Sequence, residues 1–443
     1  MTHRIFQVLP LSLAILGTSA LALGDDPLNA SLRKIYDQSK FTTDDIVFPQ
    51  QVAGDPVAGR GIFGLGTGPV IDPYLGGLFQ GTSVIYGTVV SNGTVCASCH
   101  RAETNFMLPL PPISAHVPAG DALLVGRNAE AQGDPRSADL FENHGLLKLQ
   151  MNRFNPLLRH PAADTDPDAY HTAYFQLFAW RKTQTILNVA FGYGYLTDGR
   201  ARSLLEQARG AAFNHTQDLD IRFDDLVNPS LPDVAAWQET QVYPPEVADL
   251  LNPLAPDYYS LVTDPFYTVH PTTTQQWRGE RVFADNCMSC HNMPNVFGNR
   301  SHLPGPPLNF PPLYGQGYDI GVAENNALNL DYRFWDATTN TFSPLVITLT
   351  REDGKEFNVT VVNDVGAAAT TARLEDLNRF KVPQLRNIAN LAPYFHDNSA
   401  MTLDEVVDYF NSDAYNQSPD GSQNPIHLGH KDRAALVEFL KIL

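Results

Sequence analysis

Cys96-Ala97-Ser98-Cys99-His100 and Cys287-Met288-Ser289-Cys290-His291 are the two stretches on which the fold of this chain turns. Together they hold all four cysteines of its 443 residues, and a histidine follows each pair directly. Four cysteines in an exported chain ordinarily suggest two disulfides, and two C-x-x-C pairs suit a structural zinc ion. Neither reading requires a histidine after the second cysteine, and here it occurs twice. C-x-x-C-H is the attachment signature of c-type haem: two thiols add to the porphyrin vinyl groups, and the adjacent histidine reaches the iron. The chain is therefore expected to carry two covalently bound haems, one on Cys96 and Cys99, one on Cys287 and Cys290. His100 and His291 are the expected iron ligands.

The flanking chain sets the compartment and the number of units. Its length fits two domains, each able to bury a core, and 43% hydrophobic residues read as globular. Met1 to Arg4 carries early positive charge, Ile5 to Leu16 is an apolar run, and Thr18-Ser19-Ala20-Leu21-Ala22 ends in a small-x-small cleavage pattern. Residues 1–22 read as a secretory signal, with an uncleaved signal-anchor as the alternative. No later stretch approaches the roughly 18 apolar residues of a membrane span, so the mature protein is expected in the periplasm or secreted. A net charge of −18 argues against nucleic acid and favours a basic partner, such as a small electron-carrier protein.

The fold class is expected to be mainly α: two cytochrome c-like haem domains with loop insertions, over 23–265 and 266–443, after the signal at 1–22. A short helical pattern surrounds Leu28 to Tyr36. Ala58 to Phe63 opens a helix, and a Gly-rich insertion from Gly64 to Thr94, with strand-like Ser83 to Val90 inside it, separates that helix from the first haem motif. Ala138 to Phe154 has apolar residues at mixed helical spacing, and Thr185 to Phe191 and Ser203 to Phe213 read as helices. The Pro-rich stretch from Asn228 to Pro265 carries little periodic signal. In the second unit Thr272 to Phe283 begins with Thr/Gln capping-box spacing and leads into Cys287. Leu345 to Leu349 and Phe357 to Val361 alternate around Asp353-Gly354, the pattern of a small β-hairpin. Thr402 and Glu405 form a capping box before a helix to Phe410, and Lys431 to Leu443 reads as a closing helix.

The remaining axial ligand decides what each iron does, because a saturated haem passes electrons whereas an open one can bind peroxide or oxygen. For the second haem the candidates are His396, His302 and Met401, with His396 leading; Met293 is too close to His291 and reads as packing. For the first they are Met107, His116, His144 and His215.

Phe380-Lys381-Val382-Pro383-Gln384-Leu385-Arg386-Asn387, Ala392 to Ser399, and Thr402-Leu403-Asp404-Glu405-Val406-Val407 resemble the C-terminal signature of the dihaem bacterial cytochrome c peroxidases. Leu187 to Phe191, Asp198-Gly199-Arg200-Ala201-Arg202-Ser203-Leu204 and Glu206-Gln207-Ala208 resemble the same superfamily. It also includes the haem enzyme that matures the tryptophan-derived quinone of methylamine dehydrogenase and, more distantly, the dihaem rubber oxygenases. The resemblance implies two helical haem domains face to face. The first haem would be the substrate site for hydrogen peroxide or oxygen, and the second would take electrons from a cytochrome c or cupredoxin. It also allows a calcium ion at the domain interface, for which no loop is recognisable, and dimerisation is common among the relatives.

The departures bear on chemistry. Thr197 stands where the peroxidases carry a Trp before Asp-Gly-Arg, with Tyr193 and Tyr195 nearby, and Gln217 stands where they carry an acid-base Glu. An amide can hydrogen-bond a bound oxygen species but cannot shuttle a proton; His215 or Asp218 are the nearby alternatives, so Gln217 and His215 are the catalytic candidates. Asp198 and Arg200 are expected at haem propionates or in a structural salt bridge. Leu377, Asn378 and Arg379 replace the Met ligand of the second haem, which implies a lower potential there. A peroxidase-like oxidoreductase is the leading expectation; an oxidase or oxygenase of an organic substrate and a non-catalytic dihaem carrier are the alternatives.

Overall fold

The computed structural model describes residues 54–60, 63, 83–85, 88–90, 96–125, 133–151, 158, 177–192, 194–201, 203–214, 231–299 and 317–443. The chain path is α1 (Pro56–Arg60), β1 (Ser83–Ile85), β2 (Thr88–Val90), α2 (Cys96–Cys99), α3 (Ser137–His144), β3 (Leu146–Gln150), β4 (Phe178–Lys182), α4 (Leu204–Asn214) and α5 (Leu231–Glu239). It continues with α6 (Thr274–Asn286), β5 (Phe334–Asp336), β6 (Thr341–Ser343), β7 (Val346–Thr350), β8 (Glu356–Thr360), α7 (Leu403–Phe410) and α8 (His430–Leu440). The fold is mainly helical, and every sheet among the described residues is an antiparallel two-stranded hairpin.

Local chemistry accounts for the clearest elements. Thr273 caps α6 and Thr402 caps α7 through complete capping boxes with Gln276 and Glu405. In the β7–β8 hairpin Val346 faces Thr360 and Thr350 faces Glu356, and Gly354 takes φ 82° in the turn.

Three sequence expectations are corrected. Ala138 to Phe154 is not one helix: α3 ends at Gly145, which takes φ 63° and whose N–H caps Leu140 and Phe141, and the chain continues as β3. Thr185 to Phe191 holds only a single 3₁₀ turn over Val189–Phe191, because Asn188 before it sits at φ 62°, outside the helical region. The aperiodic stretch after Asn228 contains α5. Leu231, Val234, Ala235, Ala236, Trp237 and Gln238 are all buried, so α5 has no polar face to generate periodicity.

The described residues fall into two halves built alike. Gly59 of α1 crosses α5 so closely that a Cβ there would lie 1.9 Å from the Asp233 carbonyl oxygen; Gly279 of α6 crosses α8, and its Cβ would lie 2.0 Å from that of Ala435. One turn on, Phe63 packs on Trp237 at 4.5 Å, and Phe283 on Phe439 at 5.4 Å. Tyr195 bridges to Ala201 just as Tyr394 bridges to Ala400. Asn188 and Asn387 occupy the same left-handed position before each of these segments, at φ 62° and 63°.

The halves share their interior. Leu146, Phe178 and Trp180 of the first pack in one cluster with Leu345, Ile347, Leu349 and Val365 of the second. Phe191, Val247 and Leu250 pack with Met293 and Val296; Met293 is thus a core residue, as its spacing suggested. Among the described residues no helix is long and apolar enough to cross a membrane.

Candidate haem sites and the seam between them

Each C-x-x-C-H stretch forms a single helical turn. The His100 N–H donates to the Cys96 carbonyl at 2.8 Å and the His291 N–H to that of Cys287 at 2.9 Å. A turn of this kind brings residues three apart onto one side, so the two thiols of each pair face the same way. The chain then reverses through left-handed residues, Asn105 and Phe106 in the first half and Asn295 and Phe297 in the second. That reversal returns a carbonyl to the histidine: Nδ1 of His100 lies 2.9 Å from the Phe106 oxygen, and Nδ1 of His291 lies 2.7 Å from the Phe297 oxygen. With Nδ1 engaged, Nε2 is the ring's remaining ligating atom. Phe63 lies 6.0 Å from the His100 ring, and Phe283 lies 6.4 Å from that of His291, so each imidazole is backed by the opening helix of its half.

Burial dominates the electrostatics. It pushes all four thiols up, Cys99 to about 11 and Cys287 to about 12, so they stay protonated at neutral pH. It pushes the His291 imidazole down to about 4, against the Phe297 and Pro383 carbonyls that face it. None of the four cysteines is joined in a disulfide.

Between the two halves runs a polar seam. Arg181 at the end of β4 is fully buried; its Nε and Nη2 donate to Asp364 of the second half at 2.6 and 2.8 Å, and its Nη1 donates to Asp198 of the first at 2.9 Å. Arg200 donates to the same Asp198 at 3.0 Å. Burial alone would push the Asp198 carboxyl up, but Arg200 and Arg181 hold it down at about 2. The Lys381 N–H donates to the Thr197 carbonyl at 2.9 Å, and the Lys182 N–H donates to the His396 carbonyl at 2.9 Å, so backbone also crosses the seam. The His396 ring stacks on Phe380 at 4.0 Å, with Nε2 3.9 Å from Asp364.

No protein-family model matches the chain. Cytochrome-c peroxidase IdrP2 of Denitromonas iodatirespirans is 26% identical over 288 residues, spanning 60% of this chain and 68% of that protein. Its namesake from Pseudomonas sp. (strain SCT) is 27% identical over 297 residues, 62% of this chain and 71% of that one. Cytochrome c peroxidase Ccp of Escherichia coli (strain K12) is 27% identical over 238 residues, 50% of this chain and 41% of its own length. The chain is distantly homologous to the dihaem cytochrome c peroxidases. Among solved structures, the diheme peroxidase BthA from Burkholderia thailandensis E264 aligns over 90% of this chain and 88% of its own at 18% identity, with a TM-score of 0.41.

The donor set at both motifs fits a c-type haem. Paired cysteines on one turn, not joined in a disulfide, with an Nδ1-anchored histidine beside them, are what thioether attachment and axial ligation require, and the arrangement occurs twice. The other expected residues are distributed as follows. Arg200 is paired with Asp198, the structural alternative weighed for it. His396 is engaged at the seam by Phe380 and Asp364. Met107 is buried beside the first motif, whereas His116 and Met401 are exposed. Gln217, His215, Asp218, His302 and Tyr193 lie outside the described residues, as do the signal segment and the helix expected around Leu28. No group of three metal-ligating side chains that would hold a calcium ion is present among the described residues.

Arg181, Asp364 and the two anchoring carbonyls carry no local sequence signal and were missed. The repeated Gly-x-x-x-Phe of 59–63 and 279–283 and the repeated Asn188/Asn387 could have revealed the duplication.

Proposed function

We propose that this chain is an exported dihaem oxidoreductase of two cytochrome c-like units, 23–265 and 266–443, that reduces hydrogen peroxide at the first haem with electrons entering through the second. The observation that carries the reading is the duplicated attachment site, each histidine anchored by a loop carbonyl, joined across one buried seam. When bound, haem supplies one-electron chemistry at iron, and an iron with an open axial position supplies a site for peroxide.

The chain's own residues do the rest. Phe106 and Phe297 orient the two imidazoles and raise their basicity through Nδ1. Phe63, Trp237, Phe283 and Phe439 exclude water behind them. Arg181 fixes the halves against each other by neutralising one carboxylate from each, and the Lys381–Thr197 hydrogen bond closes the same seam. The acidic surface suits a basic carrier such as a small cytochrome c or cupredoxin.

The test is made on haem-loaded protein. Reduced cytochrome c is mixed with it, and carrier oxidation that starts only on addition of peroxide supports the reading. Two low-spin irons in every redox state, with no turnover, would leave a carrier and sink it. The absence of an aromatic side chain at Thr197 and the amide of Gln217 favour a second reading, an oxidase or oxygenase of an organic substrate. Consumption of oxygen rather than peroxide would select it.

A further inference from the structure

A continuous line of hydrogen bonds and short peptide segments joins the two anchored histidines. It starts at His291, whose Nδ1 meets the Phe297 carbonyl at 2.7 Å. The carbonyl of the preceding residue, Val296, accepts from the Leu385 N–H at 3.1 Å. The buried Arg386 next to it donates Nε to the Asn295 carbonyl, so the 385–386 segment is pinned to the second haem loop at two points. Asn387 follows, and its Nδ2 crosses to the first half, donating to Oδ1 of Asn105 at 2.9 Å. Asn105 immediately precedes Phe106, whose carbonyl meets Nδ1 of His100 at 2.9 Å.

The two loops are not treated alike. The Asn105 loop is held from its own half by the Thr185 hydroxyl, which donates to the Asn105 carbonyl at 2.7 Å, and from the other half by Asn387 at 2.9 Å and more loosely by the Asn390 carbonyl, which accepts from Asn105 Nδ2 at 3.4 Å. The side chain of Asn188, which holds the matching position in the first half, instead exchanges hydrogen bonds with Tyr243, at 2.6 and 2.8 Å, and reaches Gln384 at 3.4 Å. Asn387 is itself fixed: its N–H donates to the Leu443 carbonyl at 3.2 Å, and Asn390 Nδ2 donates to its Oδ1 at 2.7 Å. That second bond leaves the Nδ2 edge for Asn105.

We propose that Asn387 is a positioning residue through which the second half sets the hydrogen bond on His100, so that the electronic state of the first haem depends on the second half's 385–387 segment. The inference rests on the proposed dihaem reading. Asn105 and Phe106 both stand at positive φ, 56° and 60°; asparagine visits that region readily, but a phenylalanine is kept there only by what its neighbours hold in place. Releasing the Asn387 hold, the shorter of the two from the second half, lets the loop relax and lengthens the Phe106–His100 contact. A weaker partner on Nδ1 makes the imidazole a poorer donor to iron, which favours the reduced state.

The deciding variant is Asn387→Gly. At φ 63° glycine removes the side chain without adding backbone strain. In haem-loaded protein the midpoint potentials of the two haems are resolved by spectroelectrochemistry, with electron paramagnetic resonance of each ferric iron alongside. N387G is expected to shift the first haem's reduction equilibrium toward the reduced form by about fivefold, the order of one lost neutral hydrogen bond, and to leave the second haem's unchanged. Asn105→Gly is expected to reproduce the shift, and the double variant to add nothing further. An unchanged first haem in N387G, or full additivity in the double variant, overturns the inference. Because potentials are measured without peroxide, a protein that shows the shift yet fails to turn over peroxide would retain the inference and lose the peroxidase reading.

Discussion

Replacing Arg181 by Met should cost about 3–5 kcal/mol of folding free energy at neutral pH, because it leaves a buried charge without its partner. The magnitude follows from what remains. Asp198 keeps Arg200, but Asp364, with a side chain only 1% exposed, loses both of its guanidinium bonds and retains the Gly366 N–H and the His396 ring at 3.9 Å. The penalty therefore lies mainly on Asp364, and R181M/D364N, which replaces the stranded carboxylate with a neutral amide, should recover more than half of it. Unfolding in guanidinium, followed by the fluorescence of Trp180, which is fully buried and adjacent in sequence, reports the change in midpoint. The pH dependence gives a second check. Burial alone would push the Asp364 carboxyl up, but Arg181 beside it holds it below its ordinary value, so the pair's contribution is present above about pH 4 and lost as pH falls. In R181M the carboxyl is free to protonate, so the gap between variant and parent should narrow from pH 7 to pH 4. A loss under about 1 kcal/mol, or a double variant no better than the single one, would refute the assignment of the seam as a matched ionic joint.

Gly59→Ala and Gly279→Ala should each destabilise by about 1–3 kcal/mol, since the new methyl would lie against backbone at 1.9 and 2.0 Å and the crossing helices must part. Thermal unfolding measures this, and each variant should lower haem retention in its own half. Asp198→Asn should remove a contribution that is full above about pH 4 and disappears as pH falls through about 2, so denaturation curves of the two proteins should converge in acid. Gln217→Glu introduces the carboxylate that the family resemblance implies at this position and should raise peroxide turnover up to about 10²-fold; an unchanged rate would show that protons at the first haem come from elsewhere.

Much of this protein was legible wherever a signal is local. The attachment pairs, the capping boxes of Thr273 with Gln276 and Thr402 with Glu405, and the Asp353-Gly354 hairpin each depend on residues a few positions apart. For them spacing alone determines which groups meet. α5 was not legible, because a helix buried on all sides shows no alternation of polar and apolar residues. Nor was the break before Val189, where an asparagine at positive φ overrides an apolar run.

The sequence by itself determined the donor set and its doubling: two cysteine pairs, each with its histidine, can be counted without knowing the fold. Only the tertiary structure decided how the two copies face each other. Arg181, Asp198 and Asp364, like Asn105 and Asn387, come from distant points of the chain and meet across the seam. Their partnership depends on the packing of β3 and β4 against the second half's core, and no periodicity or motif encodes a contact between residues so far apart.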